Sequence, residues 1–113
     1  MPIWQKGSSL LVRIYQVTKQ YPVEEKYGMV SDMRRAVNSI IHNFAEGFGR
    51  FENKDKTRFY KISRGSAYEL ISQLKASEML NYITPAIKIE LVNICISIID
   101  EEDSLIKSIE SRN

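Results

Sequence analysis

The segment from Arg50 to Arg64 carries the residue types best suited to bind a polyanion. Its six basic residues are accompanied by only two acidic ones, and aromatic residues are interleaved with them. Lysine and arginine neutralise phosphates, and aromatic rings stack on bases. Lys54, Arg58 and Lys61 recur at steps of four and three, so they share one helix face. We therefore predict that RNA or DNA is bound by a basic surface with these members: Arg34, Arg50, Lys54, Arg58, Lys61 and Arg64.

The same charges also fit an ordinary solvated helix face with the aromatic rings in the core. In a symmetric oligomer, however, the basic segments would form a ring or belt, and their phosphate contacts would add. The two interpretations stay open at this level.

Residues typical of catalytic or metal sites are scarce. His42 is the only histidine, and with Glu46 it supplies two ligands, fewer than the three or four that zinc needs. Cys95, the only cysteine, lies in an apolar stretch and is interpreted as a small packing residue. The Gly47-Phe48-Gly49 segment follows a helix pattern, whereas a dinucleotide loop follows a strand. We therefore expect no enzymatic activity, no metal site and no cofactor.

A polar face is predicted on the second helix, opposite its apolar stripe. Its members recur at steps of four, four and three: Arg35, Ser39, Asn43 and Glu46. The third helix offers partners for them: Arg64, Ser66, Glu69 and Gln73. The face is either a polar site or a hydrogen-bond network that sets helix register or a subunit contact, and the need of buried polar groups for partners favours the network.

The composition is that of a single globular domain over residues 1–113. Hydrophobic residues make up 43% and charged residues 27%, and the net charge is +2. That total conceals an asymmetry, since 13 basic and 8 acidic residues precede residue 81, whereas 3 basic and 6 acidic residues follow it. A lone cysteine suits a reducing compartment, and no signal peptide or apolar run of about 20 residues is visible. We expect a cytoplasmic protein with no membrane partner.

Apolar periodicity predicts four helices, over residues 5–20, 30–48, 54–81 and 85–111. The predicted apolar stripe of helix two is Met33, Val37, Ile40, Phe44 and Phe48, and that of helix three is Phe59, Ile62, Leu70 and Leu74. Short connections between four helices favour an all-α, antiparallel up-down-up-down bundle. Ser31 and Thr84 are predicted N-caps, the latter followed by Pro85, and Gly47 or Gly49 is the predicted C′ residue of helix two. Gly65, in the middle of helix three, predicts close approach by a neighbouring helix.

Helix four has apolar residues on two nearly opposite sides, which predicts burial on both sides. In a four-helix monomer each helix should keep a wet face. We therefore expect a subunit interface at its second stripe, with Ile89, Val92, Ile96 and Ile99. The alternative is an unusually deep central helix.

Two blocks of the sequence resemble those of a known family. Met33 to Arg50 resembles the signature R-A-x-x-S-I-x-x-N-x-A-E-G-x-G-R, and Arg58-Phe59-Tyr60 with Arg64 to Leu70 resembles a second block. The family comprises the four-helix-bundle proteins encoded in intervening sequences of bacterial 23S ribosomal RNA genes, and accessory proteins of diversity-generating retroelements are distant relatives.

The resemblance implies an antiparallel four-helix bundle that assembles into a homopentameric, barrel-like ring with no established enzymatic activity. It also implies a structural role for the motif residues that this sequence shares: Arg35, Ser39, Asn43, Glu46, Gly47, Gly65, Ser66 and Glu69.

The functional prediction is a homo-oligomeric bundle that binds RNA or DNA through its basic segment. The alternative is an interaction scaffold for an unidentified protein, with no nucleic-acid role, which uses the ring surface or the acidic cluster from Asp100 to Asp103.

Overall fold

The computed structural model describes residues 2–112, and within them it has four long helices and no strand. The helices are α1 (Pro2–Thr18), α2 (Met29–Phe48), α3 (Asn53–Met79) and α4 (Pro85–Glu110), and a 3-10 turn (Val23–Glu25) lies between α1 and α2. The predicted all-α class and the four helices are confirmed, with each boundary within three residues of its predicted position.

Contacts near the helix ends show that neighbouring helices run antiparallel. At one end of the bundle Lys61 of α3 pairs with Glu110 of α4 at 2.7 Å, and at the other end Lys88 of α4 lies 3.8 Å from Glu78 of α3. In the other pairs of neighbouring helices, residue numbers likewise rise along one helix as those of their contacts fall along the other. The contacts are Thr18 with Arg34, Tyr15 with Asn38, Ile40 with Ser63, Met33 with Ser77, Lys6 with Glu101, and Arg13 with Glu90. The chain therefore runs up, down, up and down in a bundle 47 Å long.

All four helices contribute to one hydrophobic core. The apolar stripe predicted on α2 is buried at Met33, Val37, Ile40 and Phe44. Phe48, the last residue of that stripe, is exposed because it lies in the final turn of α2, at the end of the bundle.

The core face of α3 differs from the predicted one. Leu70 and Leu74 are buried as expected, but Ile62 is exposed. Small side chains take part in the buried face instead, and the Ser63 hydroxyl donates a hydrogen bond of 2.7 Å to the carbonyl oxygen of Ile40. A short hydroxyl satisfied by the neighbouring backbone lets α3 pack closely on α2.

The expectation of close helix approach at Gly65 is wrong. Gly65 is exposed, and a Cβ there would meet no heavy atom of the described structure within 4 Å. The close approach is at Gly47, where a Cβ would lie 2.7 Å from the ring of Tyr60. Neither glycine predicted as the C′ residue of α2 has that role, since Gly47 lies inside the helix and Gly49 is its C-cap, with a right-handed φ of −83°. The chain leaves α2 through a right-handed turn in which Arg50 N donates to Gly47 O.

One predicted N-cap is confirmed and the other is wrong. The Thr84 side chain accepts a hydrogen bond of 3.2 Å from the backbone nitrogen of Ile87. Ser31 does not cap α2, because the helix begins two residues earlier, at Met29. There the Glu25 carboxylate accepts from the Met29 nitrogen at 3.3 Å, so a side chain of the preceding turn satisfies a free N–H.

Candidate nucleic-acid interface

Two arginines and a phenylalanine form a compact cluster where α3 begins. The guanidinium carbon of Arg50 lies 4.9 Å from the centroid of the Phe59 ring, and that of Arg58 lies 4.3 Å from it. Arg50 also pairs with Glu46 at 3.0 Å, and Arg58 lies 3.8 Å from Asp55. Cation–π contacts orient both guanidinium groups on one ring while each stays largely exposed to solvent.

Phe51 lies beside this cluster, in the connection between α2 and α3, and is 98% exposed. Lys54 is also exposed, and Phe51 and Lys54 line the same shallow groove. We call Arg50, Phe51, Lys54, Arg58 and Phe59 the basic tip. A single exposed apolar side chain is ordinary on a protein surface. What distinguishes Phe51 is its position directly after Arg50 and on one groove with Lys54.

Lys61 and Arg64 differ from Arg50 and Arg58 in that their acidic partners lie on another helix. Lys61 donates to Glu110 at 2.7 Å, and Arg64 donates to Asp103 at 2.7 Å. Both acceptors lie on α4, so the acidic fourth helix compensates these two charges. The predicted surface is therefore divided into the basic tip and two ion pairs between α3 and α4.

Arg34 does not extend the predicted surface. It lies on α2, sixteen residues before Arg50, and sixteen helical residues span about 24 Å. Its guanidinium donates to the Thr18 hydroxyl at 3.1 Å and lies 4.5 Å from the ring centroid of Tyr15. Arg34 therefore joins α2 to α1, near the opposite end of the bundle.

The polar face of α2 is divided between a network and the solvent. The hydroxyls of Ser39 and Ser66 lie 2.7 Å apart, and the Asn43 amide donates to the Ser39 hydroxyl and carbonyl oxygens at 2.9 Å. These hydrogen bonds join α2 to α3 and support the structural interpretation. Arg35, by contrast, is exposed and pairs with Asp32 at 3.1 Å. Two further motif residues, Glu46 and Glu69, are exposed.

The acidic cluster of α4 is not a continuous docking surface. Four consecutive helical residues point in four directions about 100° apart, because a helix has 3.6 residues per turn. Asp100 is exposed, Glu101 pairs with Lys6, Asp103 pairs with Arg64, and Glu102 is fully buried.

Glu102 is the residue that sequence reasoning missed. Both of its carboxylate oxygens are buried without a hydrogen-bond partner in the described structure. Burial raises the pKa of Glu102 to about 7, against the opposing effects of the nearby Ser63 hydroxyl and the Arg64 guanidinium. The Ser63 hydroxyl donates its hydrogen bond to Ile40 and not to Glu102. The buried carboxyl group of Glu102 is therefore neutral only when it is protonated. A signal was present in the sequence, because Glu102 lies four residues after Ile98 and three before Leu105, at the one position where a polar residue interrupts their apolar stripe.

Residues 2–112 contain no group of three or more histidine, cysteine or acidic side chains arranged to hold a metal ion. His42 is exposed. Cys95 is buried, and burial raises the pKa of its thiol to about 12, which keeps it protonated near neutral pH. Within the same described residues, the helices are too short or too polar to cross a membrane.

The residues predicted at a subunit interface lie at different depths. Ile89 and Ile96 are 54% and 44% exposed, and Val92 is half-buried. The prediction is wrong for Ile99, which is buried in the core of its own bundle. It lies one turn after the buried Cys95 and therefore faces the same way.

The family model described as 23S rRNA-intervening sequence protein matches residues 1–101. The chain belongs to this family. Among solved structures, it is similar to a protein of unknown function from the S23 ribosomal protein family of Bacteroides thetaiotaomicron, with a TM-score of 0.85 and 23% identity. The match covers 93% of this chain and 98% of that chain, and at this identity it shows the fold alone. No curated protein sequence matches the chain.

Membership of the 23S rRNA-intervening sequence family confirms the resemblance inferred from the two sequence blocks. The first block lies on α2 and extends two residues beyond its end, and the second block lies on α3. Ser39 and Ser66, one from each block, meet between these helices, and Gly47 of the first block lies against Tyr60 of the second. These contacts are structural ones, and neither the family nor the similar structure carries a description of enzymatic activity.

Proposed function

We propose that the protein is a non-enzymatic, homo-oligomeric bundle that binds RNA or DNA through its basic tip. The observation that carries the proposal is the composition of the basic tip. Arg50 and Arg58 meet on the ring of Phe59. Phe51 and Lys54, both exposed, line one groove. Exposed cations contact phosphates, and aromatic rings beside them contact bases. Lys61 and Arg64 are less available to a phosphate, because their pairs with Glu110 and Asp103 are shorter, at 2.7 Å. The acidic partners of Arg50 and Arg58 lie at 3.0 Å and 3.8 Å.

The assembly in this proposal is a pentameric ring in the cytoplasm. Exposed Ile89 and Ile96, with half-buried Val92 beside them, support a contact between subunits along α4. A ring repeats the basic tip, so a long nucleic acid would contact several tips and the contacts would add. The lone cysteine, Cys95, supports a reducing compartment.

The salt dependence of binding tests the nucleic-acid role. If three cations of one subunit contact phosphates of a single strand, a plot of log affinity against log salt should have a slope of about −2, and a steeper slope when several subunits bind. Lys54→Gln and Arg58→Gln should each reduce the slope by about 0.7 per subunit. Lys75→Gln, which removes an exposed charge from the far end of α3, is the matched control and should leave the slope unchanged.

Undetectable binding of wild-type protein at low salt would end the nucleic-acid proposal and favour the protein-interaction scaffold. The assembly is tested separately by native mass spectrometry. Ile89→Lys and Ile96→Lys should yield monomers, whereas Val23→Lys, at an exposed apolar position in the connection before α2, should leave the oligomer mass unchanged. A monomeric wild-type protein at micromolar concentration would contradict the ring.

A further inference from the structure

We infer that the basic tip is a stacking site for unpaired bases, so that the protein binds single-stranded nucleic acid in preference to duplex. This inference rests on the proposed function and adds the form of nucleic acid that is bound. It begins with Phe51, whose ring is 98% exposed at the connection between α2 and α3. Both ring faces are therefore accessible to a flat partner.

Three cations of the basic tip lie within seven residues of Phe51 in the chain and are available to hold a strand whose base lies on the ring. The guanidinium groups of Arg50 and Arg58 lie 4.9 Å and 4.3 Å from the centroid of Phe59, so a second aromatic ring orients them. Lys54 lies on the same shallow groove as Phe51. A base on Phe51 thus brings its flanking phosphates to a surface with three exposed cations.

The net charge at this end of the bundle is too small to give strong binding by itself. Between residues 50 and 58 the chain has four basic and two acidic residues, and Arg50 and Arg58 each have an acidic neighbour within 4 Å. A purely electrostatic surface of this strength would bind weakly, and it would bind duplex at least as tightly as a single strand, because a duplex has the higher charge density. Stacking supplies the additional attraction, and it does so independently of sequence because every base has a π-face.

The same stacking discriminates against a duplex. In a duplex each base is covered on both faces by its neighbours, and inserting a ring between them requires unstacking of a base step. An unpaired base already presents its face to a ring. The preference therefore follows from one exposed aromatic ring and not from the number of cations.

The test compares three labelled probes by fluorescence anisotropy at low salt: an unstructured 20-nucleotide RNA, DNA of the same sequence, and the RNA duplex. Phe51→Ala should weaken binding of both single strands about tenfold, the factor that corresponds to about 1.4 kcal/mol and to one stacked base. Phe51→Trp should retain the affinity, and duplex binding should be the same for all variants. Tyr27→Ala is the matched control, since Tyr27 is 87% exposed and lies beside Lys26 at the opposite end of α2.

The outcomes separate this inference from the proposed function. If Phe51→Ala binds single strands as tightly as wild type, or if wild type binds duplex as tightly as single strand, stacking is overturned. The proposed function survives that result when Lys54→Gln still flattens the salt dependence. If wild-type protein binds none of the probes, both are overturned. The exposure of Phe51 makes misfolding of its variants a minor concern, and circular dichroism checks it.

Discussion

The buried carboxyl group of Glu102 should make the stability of the bundle depend on pH in a way that one substitution removes. Burial raises the pKa of Glu102 from its ordinary value of 4.5 to about 7. Between these values the folded protein holds a proton that the unfolded chain has lost, so the free energy of unfolding falls as pH rises. The loss is complete above the folded pKa. At about 1.4 kcal/mol per pKa unit it amounts to about 3 kcal/mol.

The charged and polar neighbours of Glu102 set the direction of this effect. The Arg64 guanidinium and the Ser63 hydroxyl favour the ionised form, whereas Asp103 disfavours it, and burial outweighs all three. Ionised Glu102 would in turn raise the pKa of Tyr60, which burial already raises. The cost of ionisation therefore comes chiefly from removing a carboxylate from water.

Glu102→Gln is the perturbation that isolates this cost, because the amide has the same shape and no charge. Urea unfolding followed by circular dichroism, at one protein concentration to hold any assembly constant, should give similar stabilities for variant and wild type near pH 4.5. At pH 8 the variant should be more stable by about 3 kcal/mol. Asp100→Asn, an exposed carboxylate on the same helix, should not change the pH dependence.

Two results would refute the reasoning about Glu102. One is a wild-type stability that stays level between pH 5 and pH 8. The other is a Glu102→Gln variant whose stability differs from wild type by the same amount at both pH values, since that difference would come from packing and not from charge.

Three further predictions concern the glycines and one helix cap, each measured by urea unfolding. Gly47→Ala should destabilise the bundle by about 1–3 kcal/mol, because its Cβ would lie 2.7 Å from the Tyr60 ring, and no loss would contradict this close packing. Gly65→Ala should stabilise it by about 0.5–1 kcal/mol, since the position is helical and open, and a loss would indicate a neighbour there. Thr84→Ala should cost about 1 kcal/mol through loss of the hydrogen bond from Ile87, whereas Thr84→Ser should retain most of it.

Features encoded by neighbouring residues were predictable from the sequence. The spacing of Met33, Val37, Ile40 and Phe44 identified the buried face of α2, because three- and four-residue steps return to one side of a helix whatever it packs against. The cap at Thr84 was equally predictable, since its hydrogen bond spans only three residues. The two sequence blocks of α2 and α3 indicated the family for the same reason, as both are continuous in the chain.

The glycines show where such reasoning failed. Gly47 and Gly65 are both helical glycines, and the sequence favoured Gly65 as the site of close contact. Which glycine faces a neighbour depends on the rotation of one helix against another, and a single glycine carries no information about it. In the folded bundle the ring of Tyr60 packs against Gly47, and no side chain of residues 2–112 packs against Gly65.

The sequence by itself determined four helices, the buried stripe of α2, the family and the segment in which cations and aromatic rings alternate. Only the tertiary structure decided which of those cations form ion pairs with another helix. The register of α3 against α4 places Lys61 on Glu110 and Arg64 on Asp103, 49 and 39 residues apart in the chain, and it buries Glu102 while Phe51 stays in solvent. The periodicity of apolar residues arises from local backbone geometry. The ion-pair partner of a side chain and its burial depend on the packing of the whole bundle.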